Sequence, residues 1–198
     1  MTALHRPLTD GDLTLEPLSP AHREGLRAAC AADSAIWEIY PKSWAPEHFD
    51  TQFDALLASN RLPFAIVHGG EVVGMTAYIG VDAERAVLEI GNSFIRPDRR
   101  GTGLNGRIKR LMLDHAFAQG VRRAEFRVDA RNGRSQAAVL KLGAVREGVM
   151  RAERVTWNGH VRDTVLFSIL SHEWNGERSA AVQPRSGTSP VPIRKDDR

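Results

Sequence analysis

The chain has 198 residues, 42% hydrophobic and 7% aromatic, with 27 lysines and arginines against 24 aspartates and glutamates and a single cysteine. This suits one folded domain, excluding both a disordered chain and a disulfide-stapled miniprotein, and Cys30 alone rules out an intrachain disulfide, a cysteine zinc cage and a CxxC pair, as expected of a cytoplasmic protein. No apolar run approaches the roughly 18 residues of a membrane-spanning helix, and Met1 to Asp12 lack the basic-then-apolar order of a signal peptide.

Leu13 to Leu18 alternates as a strand does and stops at Ser19-Pro20, a helix start with proline at the first helical position. A helix through about Ala29 follows, with Leu26, Ala29 and Cys30 at helical spacing. Trp37, Tyr40 and Trp44, interrupted by Pro41 and Pro46, lead to a second helix from Pro46 to Ser59. Pro63 to His68 and Glu71 to Ile79 are strands joined at Gly69-Gly70. Ala86 to Ile95 alternates again, with Leu88, Ile90 and Phe94 on one face and Glu89, Gly91 and Ser93 on the other. A turn leads to a helix from Leu104 to Gln119, closed by Gly120. Ala124 to Asp129 is a strand, and Asn132 to Leu142 a helix with Asn132 as N-cap and Gly143 as terminator. The last strands, Val145 to Trp157 and His160 to Leu170, meet at Asn158-Gly159. This order predicts an α+β fold: a mostly antiparallel sheet with one strand-helix-strand crossover in the middle. Residues 1–174 form the single domain. From Asn175 onward there is no aromatic residue and few aliphatics, the composition of a disordered tail.

The net charge of +3 conceals two opposed regions. Residues 1–95 carry 6 basic and 13 acidic side chains, whereas residues 96–134 carry 11 basic and 4 acidic. A block of that sign asks for an anionic partner or for many solvated arginines. Within it, Gly101, Gly103 and Gly106 spell GxGxxG after a strand and before a helix. A doubly wound dinucleotide fold would need several more parallel units, and the chain instead ends in a hairpin. The physics of the loop holds without that fold. Glycines allow close backbone approach, and the unpaired amides and positive dipole end of the following helix favour a pyrophosphate.

Arg100-Gly101-Thr102-Gly103-Leu104-Asn105, preceded by Ile95-Arg96-Pro97, resembles the Q/R-x-x-G-x-G/A motif of the GNAT superfamily of acetyl-CoA-dependent N-acetyltransferases. Asn132-Gly133-Arg134-Ser135, followed by Ala138, Leu142, Gly143 and Ala144, is similar to that family's next segment. The ending from Glu147-Gly148 through Arg162-Asp163-Thr164-Val165 to Trp174 resembles the RimJ/RimL type, which acetylates protein N-termini. The resemblance implies a GNAT-like fold with helices on both sheet faces. It implies that Arg100, Gly101, Thr102, Gly103, Leu104 and Asn105 hold the pyrophosphate of acetyl-CoA through backbone amides. Phe94 and Ile95 would offer backbone hydrogen bonds to the acetyl and pantetheine end, from a strand that splays away from Ala124 to Asp129. Asn132 and Ser135 would lie beside the pantetheine and sulfur. Asn105 departs from the motif's Gly or Ala, so its side chain either meets a phosphate or caps the helix.

Acetyl transfer to an amine needs a deprotonated nitrogen, donors for the developing oxyanion and a proton for the thiolate. Glu89 is the candidate base, acting directly or through water, with an arginine-paired carboxylate as the structural alternative. The family's tyrosine acid falls at Val139, so Ser135 is the candidate acid, with helix-start hydrogen bonding as its alternative. Trp37, Tyr40 and Trp44 divide between core packing and the acceptor site. Arg122, Arg123, Arg127, Arg131 and Arg134 divide between an adenosine 3′-phosphate and a solvated face. The histidines have no metal-ligand spacing, and no metal is expected. The expected partners are acetyl-CoA and an amine acceptor, at a protein N-terminus or on a small molecule. Neither nucleic acid nor membrane is expected, and a homodimer is compatible. A non-catalytic CoA-binding regulator on the same fold is the alternative. A nucleic-acid binder is disfavoured, because residues 96–134 offer only Phe117 and Phe126 as aromatics, both at core-like positions.

Overall fold

In a computed structural model, residues 3–174 are described. The expectation for residues 175–198 lies outside them. The elements are β1 (Leu8–Asp10), β2 (Leu13–Pro17), α1 (Arg23–Ala31), α2 (Phe49–Leu57), β3 (Leu62–His68), β4 (Glu71–Asp82), β5 (Val87–Ile95), α3 (Leu104–Ala118), β6 (Arg123–Asp129), α4 (Gly133–Leu140), β7 (Val145–Val155) and β8 (Val161–Leu170). They build one eight-stranded sheet in the order β1-β2-β3-β4-β5-β6-β8-β7. Every neighbouring pair is antiparallel except β5 and β6, which α3 connects as a crossover. Among the described residues no helix is long and apolar enough to cross a membrane.

Two cores cover the two faces. Beneath α3 and α4 lie Leu88, Ile90, Ile108, Met112, Phe126, Val139 and Phe167. Under α1 and α2, on the other face, Leu26, Trp37, Phe49 and Phe53 pack on Ala65, Met75 and Phe94. Burying large aliphatic and aromatic side chains on both faces stabilises by about 1.5–3 kcal/mol per residue before ordering costs. Trp37 and Trp44 are thereby core residues, 0% and 4% exposed.

Several boundaries shift for local reasons. The first helix opens with a 3-10 turn at Pro20–His22, because the His22 ring folds back to accept from the Ser19 amide at 3.0 Å; α1 therefore starts at Arg23. Residues 45–48 form a turn, with the His48 amide on the Ala45 carbonyl, so α2 starts at Phe49 rather than Pro46. β1 was not foreseen; it is three residues long and pairs with β2 around Gly11, at φ +59°. The last hairpin opens early, at Val155 and Val161, because Trp157 turns away to donate its amide to the Pro41 carbonyl and its Nε1 to the Trp37 carbonyl.

One difference concerns the site directly. Strict alternation along β5 predicts Phe94 on the face of Leu88 and Ile90, but Phe94 lies in the opposite core. Ala77 pairs with Gly91 and Met75 with Phe94, so Thr76 alone opposes Asn92 and Ser93. The extra residue is a β-bulge, with Asn92 at φ +51°, and it reverses which side chains face which way. Glu89 and Phe94 consequently share the α1–α2 face.

Candidate functional site

β5 and β6 pair only at Val87–Arg123, Leu88–Ala124 and Glu89–Glu125. Beyond that point the two parallel strands separate, leaving a cleft in the sheet. The glycine loop continues from the end of β5 and α4 follows the end of β6, so both stand at the open end of this cleft.

Gly101 and Gly103, at φ +78° and +87°, turn the loop into α3, with Gly103 as its N-cap. Among the described residues, the amides of Gly101, Thr102, Gly103 and Asn105 find no acceptor. By contrast, the Arg100 amide donates to the Pro97 carbonyl at 3.1 Å and the Leu104 amide to Thr102 Oγ1 at 3.4 Å. Four of the six expected amides are thus available to an anion at the positive end of a 15-residue helix. Asn105 stands inside the helix, which removes the capping alternative for its side chain.

The Arg100 side chain is turned inward. Its Nε donates to the Ile95 carbonyl at 2.7 Å, its Nη1 to Asp33 at 2.5 Å, and its guanidinium lies 5.4 Å from the centre of the Phe94 ring. The arginine shapes the loop rather than reaching out of it.

Phe94 and Ile95 direct their backbones differently. The Phe94 carbonyl lies 2.0 Å from where a Cβ on Gly74 would stand, so it faces β4. The Arg96 amide also donates into β4, to Val73, at 2.8 Å. In an antiparallel ladder the intervening residue turns its amide and carbonyl the other way. Ile95 therefore addresses the cleft, and of the two expected strand contacts only Ile95 is oriented for it.

Asn132 caps α4, with Oδ1 accepting from the Ser135 amide at 3.0 Å. Together with Asp33, Ile36, Ile39, Arg100 and Arg134 it lines an open groove of about 450 Å3. Ser135 is half-buried in the first turn of α4, while Val139 points into the core at 7% exposure.

Glu89 sits where β5 and β6 part, its side chain 19% exposed and its Oε2 3.6 Å from Arg127 Nε. Burial raises its pKa, against the opposing pull of Arg127, Arg154 and Arg61. Its neighbours on this face are paired more tightly: Arg123 and Arg127 with Glu125, and Arg131 with Asp129. Arg123 and Arg127 are thereby held to the sheet, whereas Arg131, paired with Asp129, also lines the groove. Glu89 and Ser135 thus flank the cleft at its closed and open ends, and no bond joins them.

Two residues were not singled out from sequence in the places they occupy. Asp33 fastens the glycine loop through Arg100, and the Tyr40 hydroxyl donates to the Ser93 carbonyl at 2.8 Å, on the bulge itself. Their partners lie 67 and 53 residues away, so no local spacing marks them. Among the described residues no cluster of three metal-binding side chains occurs.

Residues 12–145 match the family profile of the acetyltransferase (GNAT) domain. The chain is 26% identical over 142 residues to YdaF of Bacillus subtilis (strain 168), described as a candidate ribosomal N-acetyltransferase, covering 67% of this chain and 76% of that one. A crystal structure of an acetyltransferase candidate from T. thermophilus superposes with a TM-score of 0.79 at 34% identity, over 86% of this chain and 92% of that chain. A GCN5-related N-acetyltransferase from Brucella melitensis gives a TM-score of 0.80 at 27% identity, over 86% and 80%.

Proposed function

The chain belongs to the GNAT acetyltransferase family, and on that footing we propose that it transfers the acetyl group of acetyl-CoA to a primary amine, either at a protein or peptide N-terminus or on a small molecule. The observation that carries this reading is the row of four unpaired loop amides at the open end of a cleft whose edge carries the backbone of Ile95. Gly101, Thr102, Gly103 and Asn105 hold the pyrophosphate, and Ile95 receives the thioester end. Asn132 and Arg134 line the groove for the rest of the donor.

Glu89 takes the proton of the attacking amine through a water as nitrogen bonds to the thioester carbon. The carbon–sulfur bond then breaks, and the thiolate takes a proton relayed by Ser135 or from solvent. An α-amine, with a pKa of roughly 8, is deprotonated to a far larger fraction near neutral pH than a lysine, and needs less help from a base. The likeness to YdaF, described as a candidate ribosomal N-acetyltransferase, supports a protein acceptor.

Thermal unfolding with and without CoA tests the donor. At one hundred times the dissociation constant, binding stabilises by about 2.7 kcal/mol, which raises the melting temperature by roughly 5–10 °C for a chain of this size. No shift at millimolar CoA overturns the reading. Free thiol release with peptide and small amine acceptors then reports transfer. Binding without thiol release across a broad acceptor panel supports instead a non-catalytic CoA-binding regulator, the reading favoured by Val139 in the core and Arg127 beside Glu89.

A further inference from the structure

Lys109 lies on the second turn of α3 with its side chain inside the protein, 5% exposed. Its Nζ is 3.1 Å from Thr76 Oγ1 and 2.5 Å from Ser93 Oγ. Those two hydroxyls are 2.9 Å apart, and both also reach the Gly91 carbonyl. Thr76 is the β4 residue opposite the bulge, and Ser93 is one of the two β5 residues that share it. The amino group therefore bridges both strands of the bulge from the α3 face. On the other face, the Tyr40 hydroxyl holds the Ser93 carbonyl.

The bulge turns Phe94 into the α1–α2 core and presents the Ile95 backbone to the cleft. We propose that Lys109 is a positioning residue for acetyl transfer: acting through Ser93 and Thr76, it fixes the β5 bulge and thereby the strand edge on which the thioester lies. The inference rests on the acetyltransferase reading above.

The surroundings suit a neutral amine. Among the described residues no carboxylate lies within salt-bridge distance of Nζ. The groups that bond it are Thr76 from β4 and Ser93 from β5, and the Thr76 hydroxyl in turn lies 3.4 Å from Met112 Sδ of α3. An ammonium would bring three donors to two hydroxyls, whereas the amine offers two donors and a lone pair. Burial pushes its pKa down to about 7 from an ordinary 10.5. Between those values the unfolded chain holds the proton and the folded one does not, so stability rises with pH across that window. An amino group kept at that cost needs a use, and a hydrocarbon side chain would fill the same space without it.

The test compares wild type with Lys109→Met and Ser93→Ala in thiol-release kinetics over pH 6–9, alongside melting temperatures. In Lys109→Met the Thr76 and Ser93 hydroxyls keep each other and the Gly91 carbonyl, so the fold persists. Its melting temperature is expected to equal or exceed that of wild type and to lose the rise with pH above 7. Its kcat/KM for acetyl-CoA is expected to fall about tenfold or more, towards the roughly hundredfold loss that misplacing a reactant by about 1 Å brings, with acceptor KM unchanged and the inflection near pH 7 gone. Ser93→Ala, which keeps the amine and its Thr76 contact and removes its contact with the β5 strand of the bulge, is expected to lower kcat/KM in the same direction. Wild-type kinetics and pH profile in both variants overturn the proposal, as does a loss that merely follows a lower melting temperature. If Lys109→Met does not fold, unchanged kinetics in Ser93→Ala overturn it alone. Failure of wild type itself to release thiol overturns the acetyltransferase reading instead.

Discussion

Glu89 carries two opposed influences: burial disfavours its charge, while Arg127, Arg154 and Arg61 favour it. Burial prevails, so the carboxyl takes up a proton more readily than an exposed glutamate, as a general base is tuned to do. Glu89→Gln keeps the shape and removes the basicity, and kcat is expected to fall about 100-fold while CoA still raises the melting temperature. Equal kcat would remove Glu89 from the mechanism. At this scale the sequence was informative where a residue acts on backbone within a few positions of itself. Asn132 caps α4 as its position predicts, and Gly101 and Gly103 adopt the left-handed conformations that glycine permits. The inward turn of Arg100 was not legible, because Asp33 comes from a distant segment that only folding brings beside the loop.

Among the elements, β5 decides the most. Its apolar alternation predicted a strand correctly, but a period of two cannot reveal where one residue is inserted against a neighbour. That insertion depends on β4, where Gly74 admits the Phe94 carbonyl and Thr76 faces two residues at once. A Cβ at position 74 would stand 2.0 Å from the Phe94 oxygen, a backbone atom that cannot swing aside. Gly74→Ala is therefore expected to destabilise by about 3 kcal/mol, in the range of overpacking a rigid site, and to raise the KM for acetyl-CoA. Equilibrium denaturation and steady-state kinetics check the two effects separately.

Across the molecule, the opposed charges of the two regions find each other. Arg107 pairs with Asp10 and Asp12, Arg100 with Asp33, and Arg96 and Arg99 with Glu71. Neither an anionic partner nor solvation is thus needed to account for most of the basic block, and the loop's attraction for a pyrophosphate rests on its amides. Arginine contacts hold many carboxyls below their ordinary range, with Asp50 and Glu147 each at about 2 and Asp12, Asp98 and Glu153 lowered as well. Groups depressed in the folded state contribute stability above their unfolded values, and that contribution is lost as pH falls through the folded ones. The melting temperature is expected to decline from about pH 4.5 towards pH 2, and Glu147→Gln to flatten part of that decline in calorimetry at successive pH values. A constant melting temperature over this range would show that these pairs add nothing.

The sequence by itself determined the order of strands and helices from β2 onward, the glycine loop at a helix start, the capped α4 and the family resemblance. Each of these is written in residues close together along the chain, through side-chain period, φ preference and capping chemistry. Tertiary structure alone decided the parting of β5 from β6, the bulge that puts Glu89 and Phe94 on one face, the pairing of acidic and basic regions, and the burial of Lys109 behind the bulge. Those features depend on register and on contacts between segments tens of residues apart, which are settled only when both faces of the sheet are packed at once.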